Sequence, residues 1–265
     1  MTYETIEVGT ARGTMPVYVH RPAGAAGPGD GPLVVLLMDA PGIRPALHRY
    51  AERLAQIGYV AALPDLFYLV AAADRPRPEL LAVGDADEFK RMSALVASMR
   101  DAPVHEDLAA MLEQLRRADA ADVSRRWGCV GFCMGGRYAL RAAEDFPDDV
   151  GAAVLLHPSR IVTDESDSPH LAVDRVRGAL YFGWGELDHV SPPELIGPLR
   201  ARLAECGVEH RVELIPGVGH GFMMRGMPAY DEIAAERAWS GALALLREHL
   251  PVATEGHGSS SETVA

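Results

Sequence analysis

Cys133 stands in Gly131-Phe132-Cys133-Met134-Gly135-Gly136, directly after the apolar run Trp127–Phe132 and directly before the helical pattern Met134–Asp145. A G-x-C-x-G between a strand and a helix is the context of a nucleophile elbow. The glycines let the turn close tightly and let strand and helix approach one another. The residue between them is forced into a strained, exposed position at a helix N-terminus, where the dipole favours a thiolate over a thiol. Gly-rich strand–helix turns also bind phosphate, but this one is not G-x-G-x-x-G, and no Lys follows it; Lys90 is the single Lys of the chain. Cys129 falls inside the strand and reads as core, while Cys206, beside Gly207 at a helix end, reads as inert.

A thiol nucleophile needs a His within hydrogen-bond reach and an acid to orient that His. In this setting the expected chain order is nucleophile, acid, His. His220 lies in Pro216-Gly217-Val218-Gly219-His220-Gly221-Phe222, just past the last strand pattern, and is the best placed of ten His. The acid should follow the preceding strand, Ala179–Trp184, where Gly185-Glu186-Leu187-Asp188-His189 begins. Asp188 is the choice and Glu186 the nearer rival; His189 adjoins the acid too closely to bridge it to Cys133. The ordered set Cys133, Asp188, His220 is more specific than any member alone. Two backbone N–H groups, of Met134 and of Ala40, are the expected oxyanion donors. Ala40 is preferred to its neighbour because Pro41 has no N–H. His157 also follows a strand and could face the site, although a satisfied buried histidine is the plainer reading. Tyr68 and Trp184 are candidate pocket walls with packing as the plainer alternative.

The elements that must position these groups are legible as a pattern. Thr5–Val8 and Met15–His20 read as an antiparallel pair, and Arg21–Pro32 as a Gly/Pro-rich loop. Strands are expected at Leu33–Met38, Tyr59–Leu63, Trp127–Phe132, Val150–Leu156, Ala179–Trp184 and Val208–Ile215. Helices are expected at Arg44–Ile57, Val104–Arg117 (opened by Pro103), Met134–Asp145, Pro193–Glu205 and Ile233–His249. Pro64–Ala102 is broken by Pro76 and Pro78 and holds two weak helical stretches. Strand–helix alternation after an antiparallel start gives an α/β fold, a mostly parallel central sheet with helices on both faces. Ligand sites in such sheets lie at the carboxyl ends of the strands. Residues 1–252 are expected to form a single domain and 253–265 a disordered tail.

Composition excludes several classes. The chain has 265 residues, 25 basic against 37 acidic, and a formal net charge of −12, which disfavours nucleic acid and anionic membranes. No apolar run approaches the roughly 18 residues of a membrane span. The N-terminus lacks the basic start and apolar centre of a signal peptide. The three Cys are too few for a disulfide framework. The expectation is a cytoplasmic protein with free thiols, a small-molecule partner, and a monomeric or homodimeric state.

On the elbow Gly131–Gly136, the turn Gly185–Asp188 and the loop Gly219-His220-Gly221-Phe222, the chain resembles the dienelactone hydrolases, from about Leu33 to Leu250. The resemblance implies an α/β-hydrolase fold with a Cys nucleophile. It also implies hydrolysis of an ester or enol-lactone through an acyl-cysteine, with no cofactor and no metal. Two departures stand out. The family carries a Glu after the first parallel strand that contacts the nucleophile; Asp39 occupies that place, either in the same role or as a turn residue with Pro41-Gly42. The family also holds a substrate carboxylate with arginines. Arg225 is displaced by one residue from that pattern, and Arg91, with Lys90, matches only by region. Rival readings are a thioesterase or a lactone-forming or isomerising enzyme with the same three residues, a noncatalytic ligand receptor, and a redox thiol sensor.

Overall fold

The computed structural model describes residues 3–24, 31–118 and 120–252. The expected tail 253–265 and the middle of the loop 21–32 lie outside the described residues. Eight strands form one sheet: β1 (Glu4–Gly9), β2 (Thr14–His20), β3 (Leu33–Leu37), β4 (Val60–Pro64), β5 (Trp127–Phe132), β6 (Val150–Leu156), β7 (Ala179–Gly185) and β8 (His210–Ile215). Their order is β1-β2-β4-β3-β5-β6-β7-β8. β2 pairs antiparallel with both β1 and β4, and every later pairing is parallel. The mixed α/β sheet expected of the sequence is therefore present. The inner strands β3, β4, β5, β6 and β7 are buried along their whole length. That is why they read as continuous apolar runs rather than as alternation.

Helices cover both faces. They are α1 (Pro45–Gln56), α2 (Pro78–Ala82), α3 (Ala86–Ser98), α4 (Asp101–Arg117), α5 (Met134–Asp145), α6 (Ile196–Glu205) and α7 (Glu232–His249). Neighbouring residues of β5 look in opposite directions, as strand geometry requires. The Cys129 thiol meets the Ala139 carbonyl of α5 at 3.5 Å, whereas a Cβ on Gly128 would strike Leu246 of α7 and Leu250. On the α7 side, the Tyr50 ring of α1 packs between Trp239 and Phe132, with centroids 4.7 and 5.0 Å away. On the α5 side, Arg137 and Arg141 both grip Asp101, the first residue of α4.

That grip moves one expected boundary. α4 starts at Asp101, not after Pro103, because Pro103 falls in the first turn, where its missing N–H has no helical partner to lose. A second boundary moves for a different reason. β8 starts at His210 because the Gly207 and Val208 amides turn back to the Ala204 and Leu203 carbonyls and terminate α6. The expected helix Pro193–Glu205 opens as a short 3-10 turn, Pro193–Leu195, before α6.

Candidate active site

The turn from β5 into α5 is built around two positions that admit no side chain. A Cβ on Gly131 would lie 2.0 Å from the Gly135 carbonyl oxygen, and one on Gly135 would lie 2.1 Å from that of Leu37. Between them Cys133 takes φ 53° and ψ −116°, a left-handed conformation that costs a side-chain-bearing residue energy. The surroundings over-determine it. The Cys133 amide donates to the Leu156 carbonyl at 3.1 Å, and the Cys133 carbonyl accepts from the Gly136 and Ser159 amides, both at 3.0 Å. The thiol is left half-buried at the head of α5, 3.8 Å from the Ser159 hydroxyl.

Asp188 follows β7 and is 1% exposed. Its Oδ1 accepts from the Val190 and Ser191 amides at 2.9 and 2.8 Å, and its Oδ2 meets His220 Nδ1 at 2.8 Å. Trp184, fully buried at the end of β7, is not a pocket wall; its indole N–H donates to the Ser191 carbonyl at 2.6 Å and so fixes the turn that holds Asp188. The rival acid Glu186 is exposed and accepts from the Gly217 amide at 2.9 Å, away from His220.

His220 Nδ1 is thus occupied, while its buried Nε2 has no hydrogen-bond partner among the described residues. The ring nevertheless interacts with the thiol, and the two groups shift each other. Burial pushes the Cys133 thiol up, but the His220 imidazole and the Ser159 hydroxyl outweigh it, and the net shift is below the ordinary thiol value. Burial disfavours a charged His220, but the charge of Cys133 and the hydrogen bond with Asp188 outweigh that and raise it to about 10. The pair leans toward thiolate and imidazolium. Burial alone acts on Cys129 and raises its thiol. These opposite shifts set the Cys133 thiol apart from a core cysteine.

Met134 is the first residue of α5, so its N–H has no acceptor within its own helix. The Ala40 N–H donates to no backbone carbonyl among the described residues. Ala40 borders the same cavity as Cys133. Asp39 borders it as well, but both its carboxylate oxygens go to Arg44, Oδ2 at 2.6 Å from Nη2. The Asp39 carbonyl in turn accepts from the Gly42 amide at 2.9 Å. This is the turn-and-anchor arrangement, and the Asp39 charge opposes the Cys133 thiolate rather than promoting it. Arg44 was not among the residues singled out from the sequence.

The cavity above Cys133 holds about 150 Å³ and is bordered by Asp39–Pro41, His157, His220 and Gly221, with Phe89, Met92, Met224 and Met227 closing it. A void of this size takes one small ring. Phe89 and Met92 come from α3, inside the stretch that read only as weakly helical. The signal was present in Asp85, which caps α3 by accepting from the Glu88 amide at 2.8 Å, three residues ahead of that Glu. A larger, shallower cleft of about 930 Å³ runs beside Met134 and Ser159 but does not reach Cys133.

Three expected substrate contacts lie elsewhere. Arg91 is turned roughly 100° from Met92 around α3. It spends its guanidinium on Glu88 and on the Asp74 and Arg75 carbonyls. Tyr68 bonds Thr10 and Asp107, at 2.8 and 3.0 Å. Arg225 is exposed and does not border the cavity. His157 does border it, 5.1 Å from the His220 ring centroid and edge-on to it.

The model of the dienelactone hydrolase family matches residues 15–250. A Bradyrhizobium protein described as a probable 2-oxo-3-(5-oxofuran-2-ylidene)propanoate lactonase is 28% identical over 247 residues, covering 92% of this chain and 94% of its own. The carboxymethylenebutenolidase of Rhodococcus opacus is 28% identical over 224 residues, covering 83% of this chain and 80% of its own. The crystal structure of a Klebsiella pneumoniae protein assigned to the dienelactone hydrolases superposes with a TM-score of 0.79 at 23% identity, over 93% of this chain and 98% of that one.

Proposed function

Because the chain belongs to the dienelactone hydrolase family and is a hydrolase of that type, we propose that it opens small esters or enol-lactones through an acyl intermediate on Cys133. The observation that carries the reading is the 2.8 Å contact of His220 with Asp188 on the cavity that His220 shares with Cys133, and the directions in which Cys133 and His220 shift each other accord with it. Free cysteine is only a few per cent thiolate near neutrality, so a paired thiolate is a large gain in nucleophile.

The thiolate attacks the carbonyl carbon, and the developing oxyanion takes hydrogen bonds from the Met134 and Ala40 N–H groups. The carbon–oxygen bond breaks, and His220 Nε2 gives its proton to the departing oxygen. Acylation removes the charge on sulfur, which is the largest influence raising the His220 pKa. The imidazole is then free to act as a base toward water. Water attacks the thioester and its proton goes to His220. The carbon–sulfur bond breaks, releasing the acid and restoring the thiolate. Asp188 keeps the ring oriented throughout. No Lys or Arg is among the described residues bordering the cavity, so no ammonium or guanidinium there clamps a substrate carboxylate.

Quenching a reaction with p-nitrophenyl acetate and mapping peptides by mass should find the acetyl group on Cys133. Cys133→Ala should lose the burst, and Asp188→Asn should lower kcat by about a hundredfold or more with the fold retained. An acetyl group on another residue, or full turnover by Cys133→Ala, would overturn the assignment.

A further inference from the structure

His157 follows β6 in a conformation few residues with a side chain adopt, with φ 39°. Its amide donates to the Gly183 carbonyl at 2.7 Å, which ties the strained turn to β7. The residue is 1% exposed, and beyond a contact with its own backbone neither Nδ1 nor Nε2 has a hydrogen-bond partner among the described residues. An imidazole always carries at least one N–H, and a buried donor left unpaired is costly. Phe132 and Phe222 pack against the ring, centroids 6.2 and 5.7 Å away, and leave it facing the cavity shared with Cys133 and His220. A strained, unsatisfied polar group on the wall of a substrate cavity is accounted for if the substrate completes it.

The order of strands says which atom it meets. Ala40 follows β3, on one side of Cys133; His157 follows β6, on the other, the side from which Asp188 and His220 arrive after β7 and β8. The carbonyl oxygen lies toward Ala40 and Met134. The oxygen that departs in acylation, and the water that attacks in deacylation, both exchange protons with His220 and so occupy one place on its side.

On the acyl-cysteine reading above, we propose that His157 is a further catalytic residue whose ring N–H hydrogen-bonds the oxygen at that place. In acylation it donates to the departing oxygen as the carbon–oxygen bond breaks and His220 supplies the proton. In deacylation it donates to one lone pair of the water and leaves the other to attack the acyl carbon, while His220 takes the proton. Burial, then the charge of His220, holds His157 well below the usual histidine range, so it stays neutral and does not compete for that proton.

The test compares p-nitrophenyl acetate, whose departing oxygen needs no donor, with ethyl acetate, whose oxygen does. His157→Phe keeps a ring without nitrogens. With the nitrophenyl ester its burst should keep the wild-type rate while steady turnover falls about tenfold, the worth of one hydrogen bond. With ethyl acetate the acylation step itself should slow by about as much. His157→Gln, which restores an N–H, should recover most of both losses, and iodoacetamide should label Cys133 at the wild-type rate in each variant. Wild-type turnover of both esters by His157→Phe overturns the proposal. So does a fall of burst, turnover and labelling together, which would mean that the ring only supports the elbow. An acetyl group found away from Cys133 in the unsubstituted protein overturns the underlying reading, and this one with it.

Discussion

At position 133 burial and an imidazole pull in opposite directions, and the imidazole prevails. The sign sets a pH prediction. A thiol whose pKa is lowered keeps its thiolate as pH falls below the ordinary range near 8.5, whereas an unassisted thiol loses it there. Iodoacetamide labelling of Cys133 should therefore fall less steeply between about pH 8.5 and about 7 than labelling of an unstructured cysteine peptide in the same sample, which declines about tenfold per unit. Peptide mapping over that series checks it, and parallel decline of the two thiols would contradict the pairing. Residue types and order alone pointed to Cys133, Asp188 and His220, because each follows its own strand. The same reading could not tell that Asp39 is committed to Arg44, or that Arg225 faces solvent, because partnership and direction depend on side chains brought together by folding.

Elements buried on both sides of the sheet, or ended by a glycine, were legible to within a residue or two; α1 and β5 are examples. The region between β4 and α4 read only as two weak helical stretches, since α2 has five residues and the apolar residues Met92, Leu95 and Val96 of α3 are only half-buried against the core. One buried polar contact links two well-defined elements. His20 Nε2 of β2 lies 3.1 Å from His48 Nδ1 of α1, and the pair is buried. Burial, then the charge of His48, lowers His20 to about 4, and burial lowers His48. The folded state thus resists protonation that the unfolded chain accepts near 6.5. The stabilising contribution is present above that value and is lost as pH falls from about 6.5 toward 4. The Tm should decline through this window, and His20→Gln, which bonds without titrating, should flatten the decline in a thermal scan series. An unchanged slope would place the acid sensitivity elsewhere.

At the scale of the molecule the net charge of −12 acts together with a cavity that no Lys or Arg borders among the described residues. A field of that sign lowers the local concentration of anionic esters and leaves neutral ones alone, and salt screens it over about 8 Å at physiological ionic strength. For a succinyl monoester, kcat/KM should rise about two- to fivefold between 20 and 300 mM NaCl. For the matched neutral ester it should stay within about 1.5-fold. Equal responses in initial-rate assays would mean that a local cation, and not the overall charge, governs access. The described residues contain no helix long and apolar enough to cross a membrane.

The backbone at Cys133 has a further consequence, for how the sequence can change over time. Glycine adopts φ 53° without the clash that any Cβ brings. The fold itself therefore favours losing the side chain on which hydrolysis is proposed to depend. A lineage selected for thermal persistence alone would drift toward glycine there, and the thiol would be kept only where turnover was also under selection.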